Sequence, residues 1–346
     1  MLAKHVLFSM MLAGLCACGL GCATQLQPQQ PRAGDAMPGD RFERSCDEIM
    51  VAGQLFHTGA PVVLWTDPGG FDAYRVERRF SKPAEASWEA TEGALPTPNR
   101  YNQRITGDTV FDERVRGGGW TLEDLRGVVD QFVIHYDVCG TSRTCFRVLH
   151  DVRGLSVHFM LDIDGTIYQT LDVKERAWHA TKANTRSVGI EIANIGAYPN
   201  ENARPLQEWY ETDAAGQTRI TVPARLGDGG VRSPERAAEP ARDQPIAGTI
   251  NGSPLVMYDL TDAQYESLIR LTAALHRALP GIELDYPRGP DGRVLPRVLD
   301  DDDFRSFRGL LAHWHVQENK IDPGPAFDWQ RVIHGARAIV RDAEER

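Results

Sequence analysis

The chain is 346 residues long, more than one average domain without requiring two. Hydrophobic residues make up 42% and charged residues 25%, which excludes a fibrous or wholly disordered chain and leaves material for a sizeable core. A formal net charge of -10 argues against the clustered basic surface on which nucleic-acid binding rests, so no nucleic acid is expected as a partner.

Residues 1–22 read as an export signal: Lys4 gives the positive start, residues 6–15 the apolar stretch, and small residues with cysteines follow. That stretch is too short to span a bilayer. Cys18, after Leu15-Cys16-Ala17, sits like the lipid-modified cysteine of a bacterial lipobox; Cys22, after Leu20-Gly21, is the alternative, and a plain secretory signal is the rival reading. The expected location is the cell envelope facing the periplasm, with the N-terminal lipid as the one membrane contact and the outer membrane as the expected host. Residues 23–41, rich in Gln, Pro, Ala and Gly, read as a flexible tether. Residues 42–100, with a candidate strand at 62–65 and a DPGG turn at 67–70, read as an N-terminal extension packed on a main domain at 101–346.

In the main domain, Thr121 with Asp124 three residues on marks a helix start, and Leu122, Leu125, Val128 and Val129 continue at helical spacing. QFVIHYD follows as a strand with His135 near its C-terminal end, and Cys139 and Cys145 lie just beyond in CGTSRTC. In an oxidising compartment those two could form a disulfide that steadies the His135 strand; free buried thiols are the other reading, and Cys46 has no evident partner. VHFMLDIDGTIYQTL reads as a hairpin turning at Asp164-Gly165. In SVGIEIAN, alternation puts Val188, Ile190 and Ile192 on a core face, and Gly189, Glu191 and Ala193 on the other. There a carboxylate flanked by two small residues would have room beside it for a ligand or water, and partial desolvation would raise its pKa toward the range of a general base. A solvated surface glutamate is the plain alternative.

Residues 198–257 form a long polar stretch rich in Pro, Gly and Arg, read as an insertion of the kind that covers a site, with a candidate strand at 219–223. Thr261 and Gln264 form a capping box that starts a helix with an apolar stripe through Leu279, stopped by Pro280-Gly281. A further helix is expected from Asp303 to about Ala312, delivering His313 at its end, and a last amphipathic helix from about Phe327 to Ala343.

Two imidazoles and a carboxylate, on His135, His313 and Asp322, are groups of the kind that hold Zn²⁺ in a catalytic site, where three protein ligands leave one position open. Lys320 lies two residues before Asp322. The order IHYD, VHF with DGTIYQ, AWHA, SVGIEIAN and AHWHVQENKIDPGPAFDW resembles the zinc N-acetylmuramoyl-L-alanine amidases of the type-2 amidase and peptidoglycan-recognition family, over roughly residues 122–340.

The resemblance implies an α/β fold with a mixed central β-sheet flanked by helices. It makes His135, His313 and Asp322 ligands of a Zn²⁺ cofactor, Glu191 the group acting on the water, and Lys320 an assistant to the reaction. The implied reaction cuts the amide between the lactyl group of N-acetylmuramic acid and L-alanine, in peptidoglycan or in released muropeptides. His179, His158 and Asn194 are candidate substrate contacts, with a hydrogen-bonded sheet histidine as the plainer role for His158 and support of a ligand as the other role for His179. The nine-residue step from His313 to Asp322 looks one shorter than in cytoplasmic relatives and contains His315, which stays open as the alternative ligand. Two rivals remain: a non-catalytic peptidoglycan-binding module of the same fold, and a lipoprotein whose zinc is structural, with a closed four-ligand shell that includes His315.

Overall fold

A computed structural model describes residues 39–41, 43–92, 94 and 100–345. The expected signal peptide, its lipidation candidates Cys18 and Cys22, and most of the tether lie outside these residues. Arg44–Arg346 make up one compact unit. No helix among the described residues is long and apolar enough to cross a membrane.

Among the described residues, fourteen strands form: β1 (Glu48–Val51), β2 (Gln54–His57), β3 (Val62–Leu64), β4 (Tyr101–Asn102), β5 (Gln131–Tyr136), β6 (Phe159–Leu161), β7 (Ile167–Gln169), β8 (Arg176–Ala177), β9 (Ser187–Ile192), β10 (Tyr210–Thr212), β11 (Thr218–Ile220), β12 (Ile246–Ile250), β13 (Ser253–Met257) and β14 (Gly309–Ala312). Six of them form a central sheet in the order β14-β5-β9-β6-β7-β3. It is mixed: only the β6–β7 hairpin is antiparallel, and the other four pairings run parallel. This is the expected α/β architecture.

Alternation along the strands divides the sheet into two faces. Phe132, Ile134, Val188, Ile190, Ile192, Leu310 and Ala312 pack with helices Asp262–Ala278 and Trp329–Glu344 through Leu268, Leu271, Leu275, Val332 and Ile333. Complete burial of each such aliphatic side chain contributes about 1.5–3 kcal/mol, so this face holds the fold together. The opposite face carries Val133 and Leu311 in one small apolar cluster and Met160 and Tyr168 in another. His135 and Glu191 also alternate onto this face, between the two clusters.

Three expectations change. The stretch 42–100 does more than pack on the main domain: β3 is an edge strand of the central sheet. Gln169 exchanges hydrogen bonds with the backbone of Met50, and Asp172 accepts from Ala52 and Gly53. The helix expected from Asp303 to about Ala312 is split. A short helix, Asp301–Ser306, is capped by Asp300, and residues 309–312 then pair with β5 as strand β14. Phe304, Phe307, Leu310 and Leu311 mimic helical spacing, but a short, wholly buried apolar run satisfies either period. Gly309 makes the turn at φ +119, where a Cβ would lie 2.6 Å from the Glu283 carbonyl oxygen. Finally, residues 198–257 have structure of their own: helix Arg204–Trp209 and the hairpins β10–β11 and β12–β13. Leu206 and Trp209 build an apolar cluster with Ile195.

Candidate metal centre and active site

Parallel pairing of β5 with β9 sets His135 opposite Glu191 on neighbouring strands, both side chains on the same face. On the other side of β5, strand β14 ends at Ala312, and the chain turns into the short helix His313–Val316. The first residue of that helix therefore lies level with the C-terminal end of β5. The loop after the helix returns Lys320 and Asp322 to the same place, and all five side chains line one cavity of about 160 Å³.

His135, His313 and Asp322 are buried, and their ligating atoms converge. His135 Nδ1 lies 3.0 Å from His313 Nδ1, and each lies 2.9 Å from Asp322 Oδ2. The remaining ring nitrogens decide what these atoms can do. His313 Nε2 is 3.0 Å from Gln317 Oε1, which can only accept, so the proton of the neutral ring sits on Nε2 and Nδ1 keeps its lone pair. His135 Nε2 is 3.0 Å from His179 Nδ1, while His179 Nε2 is 3.2 Å from Ser187 Oγ. That relay lets His135 also carry its proton on Nε2. Three lone pairs then face one point, an arrangement that repels itself unless a proton or cation sits among them.

Zinc bonds histidine nitrogen and carboxylate oxygen at about 2.0–2.2 Å, and a triangle with edges this short lets one ion reach all three corners. The donor set therefore fits. His315, the alternative ligand, does not join it: its Nδ1 accepts from the Ala312 N–H at 2.9 Å and its Nε2 donates to the Leu295 carbonyl at 2.7 Å. Both its nitrogens are committed to the backbone.

Electrostatics follow the geometry. Burial, together with the neighbouring His313, pushes His135 down to about 4, so the ring is neutral at pH 7. Burial alone would raise Asp322, but the charge and hydrogen bonds of His313 and His135, with a proton among the three groups, outweigh it and hold the carboxyl below the usual range. Glu191 goes the other way: desolvation in its recess, with Asp322 and Asp137 adding repulsion, raises it well above an ordinary glutamate. It is half-buried rather than a solvated surface residue.

The tentative assignments fare differently. His179 lines the cavity and lies against His135, in the position to support that candidate ligand. The space expected over Gly189 is taken by this ring, since a Cβ there would lie 2.5 Å from His179 Nδ1. His158 and Asn194 are not placed to touch substrate. His158 is fully buried, accepts from the Gly189 N–H at 3.1 Å and donates to the Glu175 carbonyl at 2.9 Å. Asn194 donates to the Tyr258 carbonyl and accepts from Gly196. The disulfide is not formed. Cys139 and Cys145 carry free thiols, with Cys145 buried on helix Ser142–Phe146 beside Phe146 and Leu149.

Sequence reasoning passed over three residues. Gln317 is four residues from His313, a spacing that brings side chains together on one helical turn. Asp137 Oδ1 accepts from the N–H groups of Cys139, Gly140 and Asn194, binding the turn after β5 to the end of β9. Exposed Arg153, directly after the π-helical turn Arg147–Val152, lines the cavity mouth.

Residues 125–228 match the Amidase_2 family, described as N-acetylmuramoyl-L-alanine amidase. The matched segment includes His135, His179 and Glu191 and stops before His313, Lys320 and Asp322. No curated protein matches the sequence. Among solved structures, the chain is similar to a selenomethionine derivative of AmpD, at 19% identity and TM-score 0.31, over 71% of this chain and 92% of that one. It is similar to the N-acetylmuramyl-L-alanine amidase AmiD from E. coli, in complex with the substrate anhydro-N-acetylmuramic acid-L-Ala-D-gamma-Glu-L-Lys, at 19% identity and TM-score 0.32, over 60% of this chain and 57% of that one. A third is the N-acetylmuramoyl-L-alanine amidase LysC from Clostridium intestinale, at 16% identity and TM-score 0.32, over 62% and 88%. The likeness to the N-acetylmuramoyl-L-alanine amidase family is thus carried by residues 125–228 of the chain.

Proposed function

We propose that this protein is a zinc-dependent peptidoglycan hydrolase that cleaves the amide between the lactyl group of N-acetylmuramic acid and the L-alanine of the stem peptide. The observation that carries the reading is the three-cornered donor set with a desolvated carboxylate, Glu191, and a lysine, Lys320, in the same cavity. Held by His135, His313 and Asp322, zinc would supply a water of lowered pKa and polarise the carbonyl under attack. Glu191, made more basic by its recess, takes the proton of the attacking water and returns it to the departing nitrogen of L-alanine. Lys320 offers its ammonium hydrogens to the carbonyl oxygen as negative charge builds on it.

A structural zinc would want a closed shell of four protein ligands. The alternative ligand His315 is spent on backbone hydrogen bonds, which favours the catalytic reading. Intact peptidoglycan and released muropeptides are both substrates within this proposal. Lipidation at Cys18, or at Cys22, with residues 23–41 as a tether, would hold the domain within reach of the wall from the outer membrane.

The test is mass spectrometry of the products from purified murein, with zinc measured on the same samples. The expected result is stem peptide released with a free L-alanine amine, and hydrolysis reduced about 10²-fold or more in Glu191→Ala while zinc is retained. Peptides that keep the lactyl group would refute the bond assignment. Murein binding without hydrolysis by either protein would make the domain a binding module.

A further inference from the structure

The hairpin β12–β13, inside the stretch expected as a cover for the site, ends against the loop that carries Lys320. Its tip is Asn251-Gly252, with φ +48 and +78, the left-handed pair that a two-residue turn between antiparallel strands requires. From this tip the Asn251 side chain reaches across 67 and 69 positions of sequence. Its Nδ2 donates to the carbonyl oxygens of Glu318 at 2.8 Å and Lys320 at 3.0 Å. Its Oδ1 accepts from the Val298 N–H at 2.9 Å, and its own N–H donates to the Pro296 carbonyl at 2.9 Å. Every polar atom of the amide is engaged, and two of its bonds bracket the residue before Lys320.

The same region supports the loop further along. A Cβ at Gly248 would lie 2.7 Å from Pro325 Cβ, and Met257 and Tyr136 fill the space over Gly324. Arg242 donates to the Ala326 carbonyl. Within the loop, the Lys320 N–H donates to the Gln317 carbonyl at 3.1 Å. A lysine ammonium rides on a flexible four-carbon stem, so its position depends on how firmly its backbone is held. Misplacement by about 1 Å is enough to cost a large factor in rate.

We infer that Asn251 is a positioning residue for Lys320: its amide clamps the Glu318 and Lys320 carbonyls and so keeps the lysine at the cavity mouth. The inference deepens the amidase reading and rests on it for the role of Lys320, whereas the clamp itself can be measured without turnover. Asn251→Gly keeps the left-handed turn and removes only the amide. Asn251→Asp keeps the acceptor for Val298 and sets a carboxylate against two carbonyls.

In the full-length zinc-loaded protein, hydrogen exchange at residues 318–321 is expected to quicken about tenfold in Asn251→Gly, with β5 and β9 as protected as before. kcat on murein fragments should fall about tenfold with KM within about twofold, and Asn251→Asp should lose at least as much. In a Lys320→Ala background, Asn251→Gly should cost nothing more. Unchanged exchange in the loop overturns the inference, and so does a loss of kcat just as large when Lys320 is absent. If the wild type cleaves no murein, the amidase reading falls, and the exchange result alone decides whether Asn251 clamps the loop.

Discussion

Among the described residues, two groups of imidazole and carboxylate bring their ligand atoms within 4.8 Å of one another: His135, His313 and Asp322 in the cavity, and Asp47, Glu48 and His57 on the β1–β2 hairpin. In the first, each histidine sends its Nε2 proton outward, to His179 or Gln317, and three lone pairs are left facing inward. In the second the carboxylate oxygens already accept hydrogen bonds from within the protein. Asp47 accepts from His57 Nδ1 at 2.9 Å and from the Gly59 N–H at 2.9 Å, while Glu48 accepts from the Ser45 N–H and from Arg44. Residue type and closeness are alike; the destination of the protons differs, and it decides which group can accept an ion.

The most forceful way to break this comparison is to remove one corner of the triangle. His313→Ala should abolish stoichiometric zinc binding and cut hydrolysis about 10³-fold or more, whereas Asp47→Ala with His57→Ala should leave one zinc per chain, as read by metal analysis after desalting. Zinc retained by His313→Ala would mean that the ion sits elsewhere. Next in size, Lys320→Ala should lower kcat about 10²-fold at unchanged zinc content, measured as initial rates on muropeptides. Smaller still, Gln317→Ala and His179→Ala leave all three ligands in place but free their protons. Zinc affinity should fall about 10–100-fold in competition with a chelator, and no change would show that the outward protons do not matter.

The smallest effect belongs to the surface group. Its hydrogen bond to Asp47 raises the pKa of His57, so the pair stabilises the fold fully below the ordinary histidine value near 6.5 and loses this contribution as pH rises through the folded-state pKa. Because the His57 side chain is 63% exposed, solvent screening limits the effect to under about 1 kcal/mol. Denaturant unfolding should therefore show His57→Ala slightly less stable than wild type at pH 5 and equal to it at pH 9.

Strands β5 and β9 were readable because alternation and β-branched residues agree along both, and helix Asp262–Ala278 because Thr261 and Gln264 cap it from each side. The convergence of His135, His313 and Asp322 could be anticipated because these residues occur in ordered motifs. Less was legible where meaning depends on partners distant in sequence. Residues 309–312 carry no mark separating a buried strand from the end of a helix. His158 and Asn194 have the chemistry of substrate contacts, yet the Gly189, Glu175, Tyr258 and Gly196 backbones occupy them. The Asn251-Gly252 dipeptide is a recognisable turn signal, hidden among polar residues that suggested a loop.

Gly189 has a further implication. Alanine there would press a methyl group into the His179 ring, displace the acceptor of the His135 proton, and let that proton migrate to the nitrogen facing the ion. On the zinc reading, such a descendant would keep all three candidate ligands and still grip an ion poorly, so a census of working enzymes that counts ligands alone would include it by mistake.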